Sequence, residues 1–314
     1  MIVFELINGC SFNCKSIYDM IPYEKNIKKI ILCHTKLISL DFLSCYINLE
    51  ELICNYNTLI SLYGLKNCSK LNYLDCDHNR ITSLNGIKYC LNLRFLSCID
   101  NKIKSLIHLH KMIDLEILHC NSNKITSLNG LQYCKKIRDF DISSNRLNSI
   151  KNIENCQLLL KFDCCSNELT DLSYLSIQQL KKINCSCNKL INLNGIENCQ
   201  NLEELSCSCN HISNISIINQ MNNLKLFSCD SIDLNSISNN LINNSLEEII
   251  VDIKQFIDII QYFNQLIIYC PNLKYIYNSQ HRVILNVIDM LTYSTMIVDP
   301  ETCYYPHDYL IYNK

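Results

Sequence analysis

Alanine and tryptophan are missing from this chain of 314 residues, and glycine and proline number only five and four. Asparagine, isoleucine, lysine and tyrosine take their place, a bias that matches an AT-rich coding sequence better than a functional demand. An asparagine or a lysine therefore carries weight only where its position recurs. An excess of one charge is also missing. The net charge is −2 with both signs interspersed, which leaves no footprint for nucleic acid or an anionic membrane. No secretory leader is expected at the start, because residues 1–6 carry Glu5 and their apolar run stops early. No membrane span is expected either: the most apolar region, residues 256–270, is broken by Asp258, Gln261, Asn264 and Gln265. The expected location is cytoplasmic, or the host cytoplasm if the chain is viral. No Walker loop, HExxH or GxSxG occurs, so the sequence points to no enzyme, no cofactor and no metal. An apolar content of 48 % excludes extended disorder.

A repeat organises what is there. In LNYLDCDHNRITSLNGI, Leu71, Leu74, Cys76, Asn79, Ile81, Leu84 and Ile87 fall at offsets 0, 3, 5, 8, 10, 13 and 16. Twenty-two residues on, Leu93, Leu96, Cys98, Asn101, Ile103, Leu106 and Leu109 take the same places, and another 22 bring Leu115, Leu118, Cys120, Asn123, Ile125, Leu128 and Leu131. Turns start at Ile27, Leu49, Leu71, Leu93, Leu115, Ile137, Leu159, Leu180, Leu202, Leu224, Leu246 and Leu273, with steps of 22 except 21 into Leu180 and 27 into Leu273. Alternation around offsets 2–6 predicts one short strand per turn with offsets 3 and 5 inward. Leu or Ile at offsets 0, 10, 13 and 16 closes the core from the other sides. No single turn buries enough apolar surface to fold alone, so stability must come from stacking.

Twenty-two cysteines would mean disulfides in a small secreted domain. Here Cys54, Cys76, Cys98, Cys120, Cys164, Cys185, Cys207 and Cys229 hold offset 5, where other turns place Leu32, Ile142 and Val251. A slot shared by Cys, Leu, Ile and Val is a buried apolar slot, so these are expected as reduced, packed thiols. Offset −3 alternates Cys, Met and Ile and reads the same way. Offset 8 is asparagine in eight consecutive turns: Asn57, Asn79, Asn101, Asn123, Asn145, Asn167, Asn188 and Asn210. The chain must bend away from the strand there, and an inward amide can bond the stranded backbone groups as a structural ladder. Gly64, Gly86, Gly130 and Gly195 recur before an apolar residue, which suggests a positive φ on the convex side.

Regularity fails at both ends. Residues 1–26 read as a degenerate capping turn with Phe4, Ile7, Cys14, Ile17 and Met20 at offsets 0, 3, 10, 13 and 16. Residues 27–285 hold about twelve turns, the last two irregular. Ile232, Lys254 and His281 stand where the ladder asparagine would be, and residues 256–269 show helical spacing ended by Pro271. Residues 286–314, rich in tyrosine, read as a cap over the other end.

The pattern LxxLxCxxNxIxxLNGI on its 22-residue period resembles the leucine-rich repeat family over residues 4–287. It is most similar to the subclasses typified by the nuclear regulatory subunit of protein phosphatase 1 and by bacterial internalins. Cysteine at offset 5 resembles leucine-rich repeat proteins of amoebae and their giant viruses. The resemblance implies an α/β right-handed solenoid, an arc or horseshoe with a parallel concave sheet and mostly short helical or extended convex segments. It also implies a monomeric, non-catalytic scaffold that binds another protein on the concave face. The partner's identity does not follow from it.

Offsets 2, 4, 6 and 7 should face outward from the sheet. In the first half they are apolar: Ile31, Ile53, Tyr56, Tyr73, Phe95, Ile99 and Ile117. Exposed apolar residues in register on adjacent strands mark an interaction patch. Beside them lie Asp75, Asp77, Asp100, Asp139, Asp141 and Asp163, which either steer a basic partner or keep a long sheet solvated. His119 adjoins Cys120, but alternation sends the two side chains to opposite faces, so they form no nucleophile–base pair. The alternative reading is a thiol-based metal-binding or redox module built on Cys165, Cys187 and Cys209, which should lie close together on successive turns with His211 nearby.

Overall fold

A computed structural model describes residues 2–229, 241–251, 270–278 and 284–286. The expected helix over 256–269, the replacements Ile232, Lys254 and His281, and nearly all of the cap at 286–314 lie outside the described residues. Among the described residues one sheet holds fifteen strands. Twelve of them, from Ile27–Ile31 to Tyr275–Asn278, pair in parallel, each with the strand of the next turn. Most are only three residues long, such as Tyr73–Asp75, Phe95–Ser97 and Ile117–His119. At a spacing of ~4.8 Å the parallel run spans roughly 50–60 Å.

The repeat offsets set the register. Leu74 pairs with Leu96 and Leu96 with Leu118, so identical residues stack along the interior. The residue-shorter turn before Leu180 does not disturb this, because Lys161 still pairs with Lys182. The missing residue is absorbed in the connection. Each connection is tight: a 3-10 turn at Tyr63–Leu65, Asn85–Ile87 or Ile107–Leu109 closes through bonds such as Ile87 N–H to the Leu84 carbonyl, 3.1 Å. Among the described residues no helix is long and apolar enough to cross a membrane.

The offset-5 cysteines of the described turns are fully buried, and no disulfide joins the described cysteines to one another. They do more than fill volume. Cys76, Cys185 and Cys207 point their Sγ atoms at the carbonyls of Ser97, Ser206 and Ser228 on the next turn, 3.3–3.4 Å away. At offset −3, Cys68, Cys90 and Cys134 reach back to Leu43, Leu65 and Leu109 carbonyls at 3.4–3.7 Å. A thiol thus offers a weak donor that leucine lacks, at nearly apolar cost. Burial pushes the Cys68, Cys90, Cys134 and Cys156 thiols up to about 12, so they stay protonated.

The offset-8 asparagines are 7–9 % exposed. Asn79 shows the arrangement. Its Nδ2 donates to the carbonyls of Cys54, Cys76 and Asp77 at 3.0–3.1 Å, and its Oδ1 accepts the Leu59 N–H at 3.0 Å. One amide thereby satisfies groups on two successive turns, each of which would cost about 1–3 kcal/mol if left bare.

Three features depart from the sequence reading. Residues 1–26 are not a degenerate repeat turn. Ile2–Leu6 and Ser11–Cys14 form an antiparallel hairpin, and Ile2–Leu6 pairs antiparallel with Ile27–Ile31. Gly9, at φ +86°, reverses the chain, and Ile7 is left 57 % exposed instead of inward. Phe4 and Met20 are buried, and the rings of Phe4, Phe12 and Tyr23 cluster with centroids 5.2–5.8 Å apart. At the far end Ile284–Asn286 also pairs antiparallel, with Tyr275–Asn278. The second departure concerns glycine. Gly130 and Gly195 do take positive φ, but Gly64 and Gly86 do not. Those two are required by close approach: a Cβ would lie 1.9 Å from the Leu40 carbonyl oxygen or 2.1 Å from that of Leu62. The third is the sharp bend itself. It falls at offset 7, one residue before the asparagine, where His34, Tyr56, His78, Asp100, Ser122, Ser144, Ser166, Cys187 and Cys209 hold φ of 49–56°.

Candidate functional site

The outward face of the parallel sheet carries its side chains in rows, because each offset repeats on every strand. Row 2 runs Tyr73, Phe95, Ile117, Asp139, Lys161, Lys182, Glu204. Row 4 runs Ile31, Ile53, Asp75, Ser97, His119, Asp141, Asp163. The strand spacing is close to the thickness of two stacked rings, so aromatic neighbours in a row stack face to face. Tyr73 and Phe95 do so at 4.2 Å and 3°, and His119 meets Phe95 edge-on at 6.1 Å.

This stacking corrects the expectation of an exposed patch. Ile31, Ile53, Tyr73, Phe95, Ile99 and Ile117 are half-buried, since each is flanked by its neighbours along the row; only Tyr56 is openly exposed, at 48 %. The seven are not one contiguous row. Tyr73, Phe95 and Ile117 share row 2, Ile31 and Ile53 lie together on row 4, and Ile99 and Tyr56 stand at offsets 6 and 7. Larger exposures occur elsewhere, as at Tyr63, Tyr89 and Tyr133 (55–60 %), scattered about one per turn.

A second column was not foreseen. The left-handed backbone at offset 7 throws its side chains out along one edge, where His34, Tyr56 and His78 stack at 4.5 and 4.3 Å with interplanar angles of 9° and 12°. His78 Nδ1 then meets Asp100 Oδ2 at 2.9 Å. The only sequence signal was a polar or small residue before each ladder asparagine. The two columns, Tyr73–Phe95–Ile117 and His34–Tyr56–His78, lie on either side of rows 4 and 6 and share only the turn that carries both Tyr73 and His78.

The predicted carboxylates separate into distinct environments. Asp75 Oδ2 accepts from Asn55 Nδ2 at 2.7 Å, and Asp77 Oδ1 accepts from Ser97 Oγ and the Ile99 N–H, both at 2.7 Å. Burial, followed by the nearby Asp75 charge, nevertheless pushes Asp77 up to about 6. Asp163 also rises to about 6, again chiefly by burial, although it accepts from the Cys165 N–H and Asn184 Nδ2. Desolvation likewise acts on Asp139, but there His119 and Lys161 outweigh it and hold the carboxyl low. For His119 itself, desolvation is outweighed by the Asp139 hydrogen bond (3.3 Å) and the charges of Asp139, Asp141 and Asp77, so its pKa is raised. Asp100 stands apart on the offset-7 edge.

Offset 1, and row 2 outside its apolar stretch, carry ion pairs instead. Lys28–Glu50, Lys29–Glu51, Lys181–Glu203, Lys182–Glu204, Lys225–Glu203 and Lys274–Glu247 bridge successive turns at 2.5–3.5 Å. Exposed pairs of this kind each contribute ~0–1 kcal/mol, but they reward only one register.

Of the three thiols in the alternative reading, Cys165 and Cys187 interact across successive turns. Cys187 and Cys209 are exposed at offset 7, whereas Cys165 is half-buried at offset 6 and contacts Ser166 Oγ at 3.2 Å. Burial raises the Cys165 thiol to about 11, which disfavours the thiolate that metal binding and exchange chemistry use. Among the described residues no group of three or more His, Cys, Asp or Glu is placed to hold a metal ion. Cys120 is fully buried behind His119 with its thiol pKa raised well above the ordinary value.

No protein-family model and no curated protein matches the sequence. Solved structures do match. Internalin InlF of Listeria monocytogenes aligns with a TM-score of 0.68 at 18 % identity, covering 81 % of each chain. The functional domain of InlJ from the same organism, described as including a cysteine ladder, gives 0.53 at 20 % identity, over 80 % of this chain and 63 % of that one. A plant peptide hormone receptor, RGFR1 in complex with RGF2, gives 0.50 at 18 % identity over 67 % of this chain and 40 % of the receptor. At such identities the likeness is one of architecture, and with the parallel ladder and its 22-residue register it makes the fold of this chain a leucine-rich repeat solenoid.

Proposed function

We propose that the chain is a protein-interaction scaffold that binds a partner protein across the first half of its concave sheet. The observation that carries this reading is the pair of ordered columns, Tyr73–Phe95–Ile117 and His34–Tyr56–His78, with Ile31, Ile53 and Ile99 between them. Their rings are already fixed by stacking, so a partner that covers them loses little side-chain entropy in doing so. The acidic group Asp75, Asp77, Asp100, Asp139 and Asp141 lies on the same face and favours a basic partner. A solved relative in fold, the plant receptor with RGF2, supports use of this architecture for a proteinaceous ligand. Twenty-one described cysteines without a disulfide fit a reducing compartment, which we take to be the cytoplasm, with the protein acting as a monomer.

Proximity labelling in the native host, comparing the natural chain with Tyr73→Ser/Phe95→Ser, tests the reading. The double variant should keep its circular dichroism and lose a defined set of labelled proteins. An unchanged set at equal expression would overturn it.

A further inference from the structure

In the turn of Ile117, two turns past the His34–Tyr56–His78 column, an amide has lost the partner its neighbours have. Asn55 and Asp77 hold offset 6, and the side-chain oxygen of each accepts the N–H of the next turn's offset-6 residue: Asn55 Oδ1 from Asp77 at 3.2 Å, Asp77 Oδ1 from Ile99 at 2.7 Å. Asn121 holds the same offset two turns on and is 6 % exposed. The N–H it would meet belongs to Ser143. Asp141 Oδ1 has taken that N–H at 2.9 Å, together with Ser143 Oγ at 2.7 Å. Asn121 Oδ1 is therefore buried with no hydrogen-bond partner. A bare buried carbonyl costs about 1–3 kcal/mol, and it calls for a donor from outside the fold.

Its surroundings say which donor. Asp139, Asp141 and Asp77 all act on His119, which shares the turn of Asn121, and Asp141 and Asp139 act in turn on Asp163. Among the described residues the aspartates of this face enter three ion pairs, His78–Asp100, His119–Asp139 and Lys161–Asp139. Asp75, Asp77, Asp141 and Asp163 have none. The carboxylates are not grouped for a metal ion. Acceptors without a cation, next to an acceptor without a donor, complement a group that is both cation and donor.

We propose that the outward face at Asn121 receives the guanidinium or ammonium of an arginine or lysine on the partner protein, with an adjacent apolar partner residue seated on Tyr73, Phe95 and Ile117. This inference rests on the scaffold reading and adds the chemistry of the partner's anchor. Burial with the neighbouring Asp75 raises Asp77 to about 6, burial with Asp141 and Asp139 raises Asp163 to about 6, and a cation nearby favours the charged form of such groups.

Nuclear magnetic resonance titration with two synthetic peptides tests it: acetyl-Leu-Arg-Leu-amide and its citrulline counterpart, which keeps the shape and removes the charge. The arginine peptide should shift the Asn121 side-chain amide and the Ile117 methyls and bind about tenfold more tightly than the citrulline peptide. Asp141→Asn should erase that difference. Asn121→Val should weaken the arginine peptide without lowering the melting temperature, because the Oδ1 atom makes no bond within the fold. Equal affinity of the two peptides, with shifts at Tyr73 and Phe95, would overturn the cation assignment and leave the scaffold reading intact. Shifts by the arginine peptide confined to the Glu203 edge would also overturn it. Failure of the scaffold reading itself registers separately, in the labelling experiment with Tyr73→Ser/Phe95→Ser.

Discussion

The two halves of the concave face share one backbone and differ in what they display. Ile31, Ile53, Tyr73, Phe95 and Ile117 put three isoleucines and two stacked rings on the first half, among Glu51, Asp75 and Ser97; from Asp139 to Ser228 rows 2 and 4 carry Asp, Lys, Asn, Glu and Ser with one apolar residue, Leu226. Behind both lie the same leucines, thiols and asparagines, buried to the same degree. The interior thus sets the geometry twelve times over, while the face is free to vary, which is how a repetitive scaffold acquires a local site.

The sharpest way to break this comparison is to attack the interior in each half. Asn101→Ala and Asn188→Ala each strip three donated bonds and one accepted bond from buried backbone. Each should cost about 3–5 kcal/mol in urea denaturation, by a similar amount in both halves. A cost confined to one half would show that the interior is not uniform. Next come Gly86→Ala and Gly195→Ala. Both place a Cβ 2.1 Å from a carbonyl oxygen, of Leu62 and Leu172, and only Gly195 also needs its φ of +109°. Losses of about 2–4 kcal/mol are expected in thermal melts.

Acidity sharpens the comparison at a smaller scale, with one strained carboxylate in each half. Asp77 and Asp163 titrate near 6 in the fold against an ordinary 3.8, so the folded chain holds their protons more tightly than the unfolded chain. Their destabilising effect is absent below pH ~4, grows between ~4 and ~6, and is complete above. The raised His119 acts in the same sense, since its contribution is full below 6.5 and fades as pH rises through its folded value; the depressed Asp139 opposes both only below 3.8. Stability should therefore fall by about 1–3 kcal/mol per aspartate from pH 4.5 to 7, and Asp77→Asn or Asp163→Asn should each flatten part of that slope. Smallest is the face itself. Tyr73→Ser/Phe95→Ser should lower stability by about 1 kcal/mol through the lost stack, and Lys182→Ser/Glu204→Ser by less than about 1 kcal/mol, despite a 2.5 Å ion pair.

The fold was legible because period and register are the same information. A spacing of 22 between Leu74, Leu96 and Leu118 is also the strand pairing. The rows of the face followed from that register, so Tyr73, Phe95 and Ile117 could be set side by side. Their accessibility could not, since it depends on how far each ring leans on the next. The left-handed bend at His78 or Ser144 was hidden because no glycine announces it. The hairpin was hidden because an alternating apolar stretch such as Ile2–Leu6 suits a strand running in either direction. The orphaned Asn121 oxygen depended on Asp141 claiming the Ser143 N–H, a competition between neighbouring turns that no linear pattern records.

The turn before Leu180 is one residue short, and the sheet does not notice. A molecule whose every joint is the same joint can be lengthened by copying one coil in frame, since the new coil meets on both sides the surfaces it was shaped to meet. Its size is then open to simple gene duplication, and each copy arrives as blank display space behind which nothing needs to be reinvented.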